Sequence, residues 1–333
     1  MKLMVDLKEN SYPIYIEEGI LHHVQDYIDL NRKVLIVTDK NIPLEYANCI
    51  KKQAKEAYIY QVIPGEEAKS FACFQDLCRF LLDHHFTRKD VVVAVGGGVV
   101  GDLSGYVAAS YMRGIDFIQI PTTTLSQIDS SIGGKVAINL DGVKNVVGAF
   151  YQPKAVFIDF LTLKTLPKRH FYNGLVEALK AGMIYDEALF NLFEQEDIET
   201  VLLDIVYRAL CVKKDVVEKD EKEKNLRKIL NFGHTIGHAI ESYYHLSQYY
   251  HGECVALGML YFTTPELAKR LEVIYDKMHL KKQVDFDVDE VFAYLRNDKK
   301  THGDTIDVIY VEELGHAQIR PMKFDEIKDC LRG

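Results

Sequence analysis

The sequence predicts an α/β domain over residues 1–160 followed by a mostly α-helical domain over residues 161–333. The length of 333 residues fits two domains of about 150 residues each. In the first part, short apolar runs typical of strands alternate with helical segments, which indicates strands joined by crossover helices. After about residue 165 the apolar residues recur at helical spacing, so we expect the second domain to be built mainly from helices.

Strands of the first domain are expected where apolar runs are bounded by polar or turn residues. The run Lys33–Asp39 ends in an acid that can either bind a ribose hydroxyl or cap the next helix, and the sequence favours neither alternative. The other predicted strands are Ala57–Ile63, Asp90–Val95, Phe117–Thr124 and Ala155–Asp159, and the predicted helices between them are Ala47–Ala57 and Phe71–His85.

A glycine-rich segment, Gly96–Asp102, follows the strand Asp90–Val95 directly. It matches the pattern G-x-G-x-x-G between a strand and a helix, where backbone N–H groups can bind phosphate. The dinucleotide fingerprint usually belongs to the first βα unit, so a tight turn without a ligand is the alternative. Further on, Lys135 and Lys144 stand near glycines in segments that we expect to be loops, another common way to hold phosphate.

Helical periodicity predicts most of the second domain. The predicted helices include Tyr172–Tyr185, Leu189–Phe193, Val201–Val217 and Val255–Leu271. A short strand is expected at Ile306–Val311.

Three histidines in this domain suggest a metal site. His234 and His238 are four residues apart, which places both on one face of a helix, and His251 follows. Imidazole nitrogens in this number suit zinc, provided that a carboxylate elsewhere completes the set. Thr235 occupies the position where a metalloprotease of this spacing needs glutamate, so that activity is not supported. The alternative is that some of these histidines are core residues.

Composition excludes several other classes of protein. The net charge of −9 argues against nucleic acid as a partner. No apolar run approaches the roughly 20 residues of a membrane span, and the N-terminus lacks the plan of a signal peptide. Six cysteines occur without a Cys-x-x-Cys pair, so we expect neither disulfides nor a cysteine zinc site, and a cytoplasmic location.

Seven motifs, in their order along the chain, resemble the 3-dehydroquinate synthase family over roughly residues 34–311. They are Gly96–Asp102, Pro121–Thr123, Asp129–Lys135, Gly142–Phe150, Glu177–Lys180, Asn231–Glu241 and His251–Glu253. The resemblance implies a Rossmann-like NAD-binding domain followed by a helical metal-binding domain. It also implies two cofactors, NAD and Zn²⁺, with Co²⁺ as an alternative metal.

The activity that the resemblance implies belongs to the shikimate pathway of aromatic amino-acid and chorismate biosynthesis. The enzyme would convert 3-deoxy-D-arabino-heptulosonate 7-phosphate to 3-dehydroquinate and phosphate, as a carbon–oxygen lyase. The implied steps are transient oxidation at C5 by NAD, phosphate elimination, re-reduction, ring opening and intramolecular aldol closure. The implied assembly is a homodimer, in which Arg113 reaches the active site of the neighbouring subunit.

Individual residues take their expected roles from the same resemblance. The metal ligands would be Glu177, His234 and His251, so that His238 would be a site residue that does not bind the metal. The positions expected to contact NAD are Asp39, Gly65, Glu66, Glu67, Ala68, Lys69, Gly98, Val99, Val100, Gly101, Asp102, Thr122, Thr123, Lys135, Lys144, Thr162, Leu163, Lys164 and Thr165. The positions expected on the substrate side are Asp129, Lys135, Asn145, Lys180, Lys213, Arg227, His238 and either Lys299 or Lys300.

Two other activities compete with this interpretation. A sister sugar-phosphate cyclase, such as a 2-deoxy-scyllo-inosose or valiolone-type synthase, would keep NAD and zinc but change the substrate contacts. Arg227 and the lysines at positions 299 and 300 favour a carboxylated substrate instead. A metal-dependent polyol dehydrogenase is less consistent with the number of lysines expected to bind phosphate.

Overall fold

Apolar strands form a seven-stranded sheet in the first part of the chain. The computed structural model describes residues 1–245, 248–298 and 304–332, and the chain divides into two units, Met1–Pro167 and Lys168–Gly333. The division falls directly before a helix, slightly later than the boundary at residue 160 that the sequence suggested.

The first unit alternates strands and helices as the sequence predicts. Its strands are β1 (Lys2–Val5), β2 (Tyr12–Ile16), β3 (Lys33–Asp39), β4 (Glu56–Val62), β5 (Val91–Gly96), β6 (Asp116–Pro121), β7 (Lys135–Leu140), β8 (Val143–Phe150) and β9 (Ala155–Ile158). Its α-helices are α1 (Leu44–Lys51), α2 (Phe71–Asp83) and α3 (Gly98–Ser110).

The main sheet has the strand order β1-β2-β9-β6-β5-β3-β4. All its pairings are parallel except the pairing of β1 with β2. The inner strands are apolar on both faces because both faces are covered: β5 is buried throughout, and separate apolar clusters include side chains from its two faces. Such burial explains why the strands could be recognised as continuous apolar runs.

The chain order of this sheet reverses between β3 and β5. The chain passes from β3 to its neighbour β4 and then returns to β5 on the opposite side of β3. Ligands of open α/β sheets bind outside the carboxyl ends of the strands at such a switch point. Val37 pairs with Ala94, two residues before Asp39 and Gly96 respectively, so both strands end at the same level of the sheet.

Lys135 and Lys144 lie on a hairpin, and the expectation that they lie in loops is wrong. β7 and β8 form a separate antiparallel pair, joined by Asp141 and Gly142, both with positive φ. An Asp-Gly pair with this backbone makes the two-residue turn that favours hairpins. The signal was therefore present in the sequence, but the polar residues of β8 and its Gly148 weakened the strand pattern.

The second unit is mainly helical, with one hairpin near its end. Its α-helices are α4 (Lys168–Ile184), α5 (Glu187–Gln195), α6 (Leu202–Lys219), α7 (His234–Tyr243), α8 (His251–Tyr261), α9 (Pro265–Lys277), α10 (Val288–Asp298) and α11 (Phe324–Arg332). The hairpin pairs β10 (Thr305–Glu313) with β11 (His316–Lys323). α4 is the central helix, buried at every position from Asn173 to Ile184 and packed against α5, α6 and α8.

Two helices occupy the segment that the sequence suggested as one, Val255–Leu271. α8 ends at Tyr261, and α9 begins at Pro265 after Thr264, whose side chain accepts a hydrogen bond from the Leu267 N–H. A capping threonine followed by proline at the first helical position is a standard helix start. Apolar periodicity continued across the break and hid it.

Glycines let α7 and α8 approach each other very closely. A Cβ atom at Gly258 of α8 would lie 1.9 Å from the carbonyl oxygen of Gly233, the residue that precedes α7. A Cβ at Gly252 would lie 2.0 Å from the carbonyl oxygen of Asn173 in α4. Because the opposing atoms belong to the backbone, no side-chain rotation can make room for a larger residue.

Among the described residues, no helix is both long and apolar enough to cross a bilayer.

Replacing Gly258 by alanine should separate α7 from α8, because the added methyl group meets backbone. Overpacking of this kind costs about 1–3 kcal/mol, occasionally more. We expect Gly258→Ala to lower the urea midpoint of the second unit's unfolding, measured by circular dichroism. Lys269→Ala, at an exposed position of α9, is the control and should shift stability by less than about 0.5 kcal/mol. Equal urea midpoints for Gly258→Ala and Lys269→Ala would show that the close approach at Gly258 does not limit stability.

Candidate active site

Three potential metal donors from three helices converge in the second unit. Oε1 of Glu177, on α4, lies 3.7 Å from Nε2 of His234 and 3.6 Å from Nε2 of His251. Donors about 2.1 Å from a tetrahedral zinc ion lie about 3.4 Å apart. The spacing of the three atoms is therefore close to that of ligands around one ion.

The two oxygens of the Glu177 carboxylate have different surroundings. Oε2 accepts a hydrogen bond from the Lys180 ammonium, one helical turn further along α4. Oε1 is buried and has no hydrogen-bond partner among the residues that the structure describes. A buried carboxylate oxygen without a donor is costly, and a metal ion bound to Oε1 would satisfy it. The residues present therefore fit a metal ion.

The partners of His234 and His251 hold both histidines with Nδ1 protonated. Nδ1 of His234 lies 3.0 Å from the carbonyl oxygen of Phe232, and Nδ1 of His251 lies 3.2 Å from Oε2 of Glu241. Both partners can only accept, so Nδ1–H donates in each pair. This tautomer leaves the Nε2 lone pair for a metal, as is usual for metal-binding histidines.

The charges at the site favour ionised glutamate and neutral His234. Burial would raise the pKa of Glu177, but the Lys180 ammonium, with His251 and His234, holds that pKa well below its usual range. Burial and the Lys180 charge lower the pKa of His234 well below its usual range. For His251 burial also acts to lower the pKa, but contacts with Glu177 and Glu241 outweigh it and raise the pKa to about 9. A metal ion must displace the extra proton from His251.

His238 lies beside the same group. Its ring centroid is 5.1 Å from that of His234 and 5.6 Å from that of His251. One ligand atom from each of the three histidines lies within 4.8 Å of the others. The geometry therefore offers a three-histidine set as an alternative to the set that contains Glu177.

The start of α8 is anchored to α4, which fixes the position of His251. Oδ1 of Asn173 accepts hydrogen bonds from the N–H groups of Gly252 and Glu253, at 2.7 and 3.3 Å. The Glu253 carboxylate forms a bidentate ion pair with Arg169, in which Nε and Nη2 donate to Oε1 and Oε2 at 2.7 and 2.8 Å. The two Asn173 contacts satisfy amides that a helix start leaves without intrahelical partners.

Buried cations gather on the helices around the metal donors. Lys180, Lys213 and Arg227 expose 3%, 9% and 1% of their surface. Lys213 is on α6, and Arg227 is in a short helical segment, Leu226–Asn231; α6 and this segment both pack against α4. Three cationic side chains on packed elements make this part of the second unit electropositive, which suits an anionic ligand. The predicted site residues Lys299 and Lys300 lie outside the described residues.

The candidate cofactor residues of the first unit lie at the switch point of its sheet. Asp39 ends β3, and Gly96 ends β5 directly before the start of α3 at Gly98. Asp39 Oδ1 accepts the N–H of Asn41 at 2.7 Å, whereas Pro43 is the residue that precedes α1, so of the two alternatives for Asp39 the structure excludes the helix cap. Burial raises the pKa of Asp39, against the hydrogen bonds of the turn.

The glycine segment also has a packing role. A Cβ atom at Gly101 would lie 2.6 Å from Oε1 of Gln119, on the neighbouring strand β6. The third glycine of the fingerprint allows such close helix–strand packing, and the first N–H groups of α3, as at any helix start, lack intrahelical acceptors and can bind phosphate. The turn and phosphate-binding interpretations of the sequence are therefore compatible.

A buried lysine links the turn at residues 65–69 to α3 and β8. The Lys69 ammonium donates to Oδ2 of Asp102 at 2.7 Å, and also to Oδ1 of Asn145. Burial raises the pKa of Asp102 to about 6, although Lys69 opposes the rise. Asn139 completes the network with two hydrogen bonds of 2.9 Å. Its side-chain N–H donates to Oε1 of Glu66, and its Oδ1 accepts the N–H of Asn145.

Other predicted cofactor residues lie around the ends of β6 and β9. Thr122 donates its N–H to the Gly96 carbonyl at 3.0 Å, and Thr123 Oγ1 lies 2.9 Å from the Ser126 hydroxyl. The Gln127 amide bonds to Thr162 Oγ1 at 3.2 Å and thereby holds the segment Phe160–Thr165. Val99, Val100, Leu163 and Lys164 lie on α3 or in that segment.

The remaining predicted residues occupy several elements. Asp129 lies in a single π-helical turn, Ser126–Ser130, which no feature of the sequence indicated. Arg113 is exposed after the end of α3, with a φ of 66°. Asn145, expected on the substrate side, contacts Lys69 of the expected cofactor set.

Sequence reasoning missed three supporting residues: Glu241, Asn173 and Asn139. Each acts through another residue rather than through a motif of its own. Glu241 could have been found from its position, since it follows His234 by seven residues and therefore shares its helix face. Asn173 and Asn139 depend on long-range contacts that no local pattern records.

Family models match the chain over most of its length. The N-terminal model of 3-dehydroquinate synthase matches residues 59–173, and the C-terminal model matches residues 174–301. The 3-dehydroquinate synthase of Clostridium kluyveri is 38% identical over 97% of this chain and 96% of its own. That of Thermoanaerobacter pseudethanolicus is 41% identical over 99% of both chains.

Solved structures of sugar-phosphate cyclases share the fold. A 2-deoxy-scyllo-inosose synthase complexed with carbaglucose-6-phosphate, NAD⁺ and Co²⁺ superposes with a TM-score of 0.91 at 27% identity, covering 100% of this chain and 99% of that one. The 2-epi-5-epi-valiolone synthase of Streptomyces hygroscopicus subsp. jinggangensis 5008, with NAD⁺ and Zn²⁺ bound, gives 0.88 at 26% identity, covering 98% and 97%. A probable glycerol dehydrogenase from Sinorhizobium meliloti 1021, at 16% identity over 96% and 95% with a TM-score of 0.59, shares the fold alone. The predicted Rossmann-like and helical architecture is confirmed.

Metal analysis can distinguish the two donor sets. If Glu177, His234 and His251 bind the ion, His251→Ala should retain less than about a tenth of the zinc, because two ligands rarely hold the ion. His238→Ala, which removes the other histidine of the cluster, should retain nearly all of the zinc. Elemental analysis after dialysis provides the measurement. Loss of zinc in His238→Ala together with retention in Glu177→Ala would instead establish the three-histidine set.

Proposed function

The chain belongs to the 3-dehydroquinate synthase family, and we propose that it converts 3-deoxy-D-arabino-heptulosonate 7-phosphate to 3-dehydroquinate and phosphate. The reaction is a step of the shikimate pathway, and its class is that of a carbon–oxygen lyase. It requires an oxidation and a reduction at the same carbon atom, with loss of phosphate between them. The cofactors would be NAD and Zn²⁺ or Co²⁺, as in the cyclase structures of similar fold.

The observation that carries the proposal is the set of buried cations on the helix that bears Glu177 and on two elements packed against it. Lys180 contacts Glu177 directly, and Lys213 and Arg227 are buried on elements packed against the same helix. A chain with a net charge of −9 concentrates these cations where a ligand with a phosphate and a carboxylate would need them.

The first unit would bind the cofactor. NAD, when bound, supplies a hydride acceptor at one stage and a hydride donor at another. Asp39 would accept hydrogen bonds from ribose hydroxyls, and the N–H groups from Gly98 onward would bind the pyrophosphate. The Lys69–Asp102 ion pair would hold the turn at residues 65–69 in place against the cofactor.

The second unit would hold the metal and the reacting hydroxyl. A zinc or cobalt ion on Glu177, His234 and His251 supplies a Lewis acid that lowers the pKa of a bound hydroxyl group. Three protein donors leave at least one position open for substrate. Lys180 donates to Oε2 of Glu177 and so would leave Oε1 free to bind the metal.

The chain's cations and His238 would act on the phosphate that departs. After oxidation at C5 the neighbouring C–H becomes acidic, so phosphate can leave by elimination, with the substrate's own phosphate as base. Lys213 and Arg227 would bind the anionic groups, and His238, one turn from His234, would exchange a proton with the departing phosphate. C5 is then reduced, the ring opens, and the held molecule closes by an intramolecular aldol reaction, which is effectively unimolecular.

A sister cyclase activity is the second candidate, because solved cyclases of that kind superpose with TM-scores of 0.91 and 0.88. Their identities of 27% and 26% are well below the 38% and 41% found with 3-dehydroquinate synthases. The carboxylated heptulosonate is therefore the better supported substrate.

Cofactor turnover separates this proposal from a dehydrogenase. With a catalytic amount of NAD⁺, the protein should release many equivalents of phosphate without a steady rise in nicotinamide absorbance, because the hydride removed from C5 returns to C5. An analogue with a non-leaving phosphonate should stop after oxidation and leave bound NADH. Steady NADH accumulation that matches substrate consumption, with no phosphate released, would contradict the cyclase proposal.

Arg113 provides a test of the proposed homodimer. If Arg113 completes the partner's site, mixing inactive Arg113→Ala with inactive Lys180→Ala should give heterodimers with one intact site. Random exchange in a two-fold dimer would restore about a quarter of the parent activity. The control mixture, Lys180→Ala with Lys213→Ala, should restore none because both residues act within one chain. Heterodimers of the first pair without activity would exclude a site completed in trans.

A further inference from the structure

We propose that Glu241 is a positioning residue that sets the affinity of the metal site by holding His251. The proposal rests on the metal site of the proposed function. Oε2 of Glu241 lies 3.2 Å from Nδ1 of His251, while Nε2 of the same ring faces Oε1 of Glu177 at 3.6 Å. The ring is thus held between two carboxylates, one at the metal position and one behind it.

The position of Glu241 on α7 explains why it reaches the ring. It follows His234 by seven residues and His238 by three, so the three side chains share one face of the helix. Glu241 is 8% exposed, which shields its charge from water. One helical face therefore supplies a metal ligand, a neighbouring histidine and the carboxylate that anchors the ligand of the next helix.

The carboxylate would act on the metal in two ways. A neutral imidazole can carry its proton on either nitrogen, and a proton on Nε2 would block the metal. By accepting Nδ1–H, Glu241 fixes the other tautomer and the ring plane. Its negative charge also makes the ring a stronger donor and attracts a divalent ion. His234 differs, because a neutral carbonyl group, that of Phe232, accepts its Nδ1–H.

The anchoring of α8 is a separate function that other residues perform. Asn173 and the pair of Arg169 with Glu253 hold the first turn of that helix. Glu241 instead contacts the ring of His251. Loss of the Glu241 charge should therefore change metal binding more than it changes folding.

Chelator competition provides the test. We expect Glu241→Gln, which keeps the side-chain shape but removes the charge, to bind Zn²⁺ about 10–100-fold more weakly than the parent. Glu241→Asp keeps the charge at a longer distance from His251. Its Zn²⁺ affinity should lie between those of the parent and Glu241→Gln. The visible absorption of bound Co²⁺ should change in Glu241→Gln, because the His251 nitrogen becomes a weaker donor and the ligand field of the ion changes. At saturating Zn²⁺ the KM for substrate should remain within about threefold of the parent value, since Glu241 acts through His251.

Glu266→Gln is the matched control, since it makes the same substitution at an exposed position of α9. It should change stability by less than about 0.5 kcal/mol and leave the Zn²⁺ affinity close to that of the parent. Parent-like Zn²⁺ affinity and Co²⁺ spectrum in folded Glu241→Gln, while His251→Ala binds no metal, would overturn the role of Glu241 and leave the proposed function intact. A parent protein that binds no Zn²⁺ would overturn both.

Discussion

The close backbone contact between α7 and α8 is the constraint on which the candidate metal site depends. Gly258 lies so near Gly233 that a single added carbon atom would collide with the carbonyl oxygen. This contact brings His234 and His251, from two helices, within reach of Glu177 on the buried helix α4. Side-chain length alone could not compensate for a wider separation, because tetrahedral metal donors must lie within about 3–4 Å of one another.

Buried charge is the second constraint. In both units the buried charged side chains form networks of several contacts rather than isolated ion pairs. In the second unit, Lys180 and the two histidines stabilise the ionised form of Glu177, although burial opposes it. In the first unit, Lys69 contacts Asp102 and Asn145, but burial outweighs its charge and raises the pKa of Asp102 to about 6. Buried ion pairs contribute little net stability, so their role here is better explained by the fixed positions that they give to the candidate site residues.

Much of the fold could be predicted from sequence because its strands are buried on both faces and its helices are strongly periodic. The β7–β8 hairpin was missed, since Val136 and Ile138 alternate correctly but no residue of β8 is fully buried and its apolar residues do not alternate with polar ones. Glu177 could not be linked to the histidines by spacing, because its partners lie more than fifty residues away in the chain. Family motifs supplied that link, whereas Asn173 and Asn139, which act through other residues, became visible only through their contacts.

Anomalous X-ray scattering at the zinc edge, from crystals grown with Zn²⁺ and NAD⁺, tests the central claim most directly. The account predicts one strong peak within about 2.0–2.2 Å of Glu177 Oε1, His234 Nε2 and His251 Nε2, with an open position beside them. It also predicts that Glu241 remains hydrogen-bonded to Nδ1 of His251. A peak bound by His238 with Glu177 uncoordinated, or no peak among these residues, would contradict it.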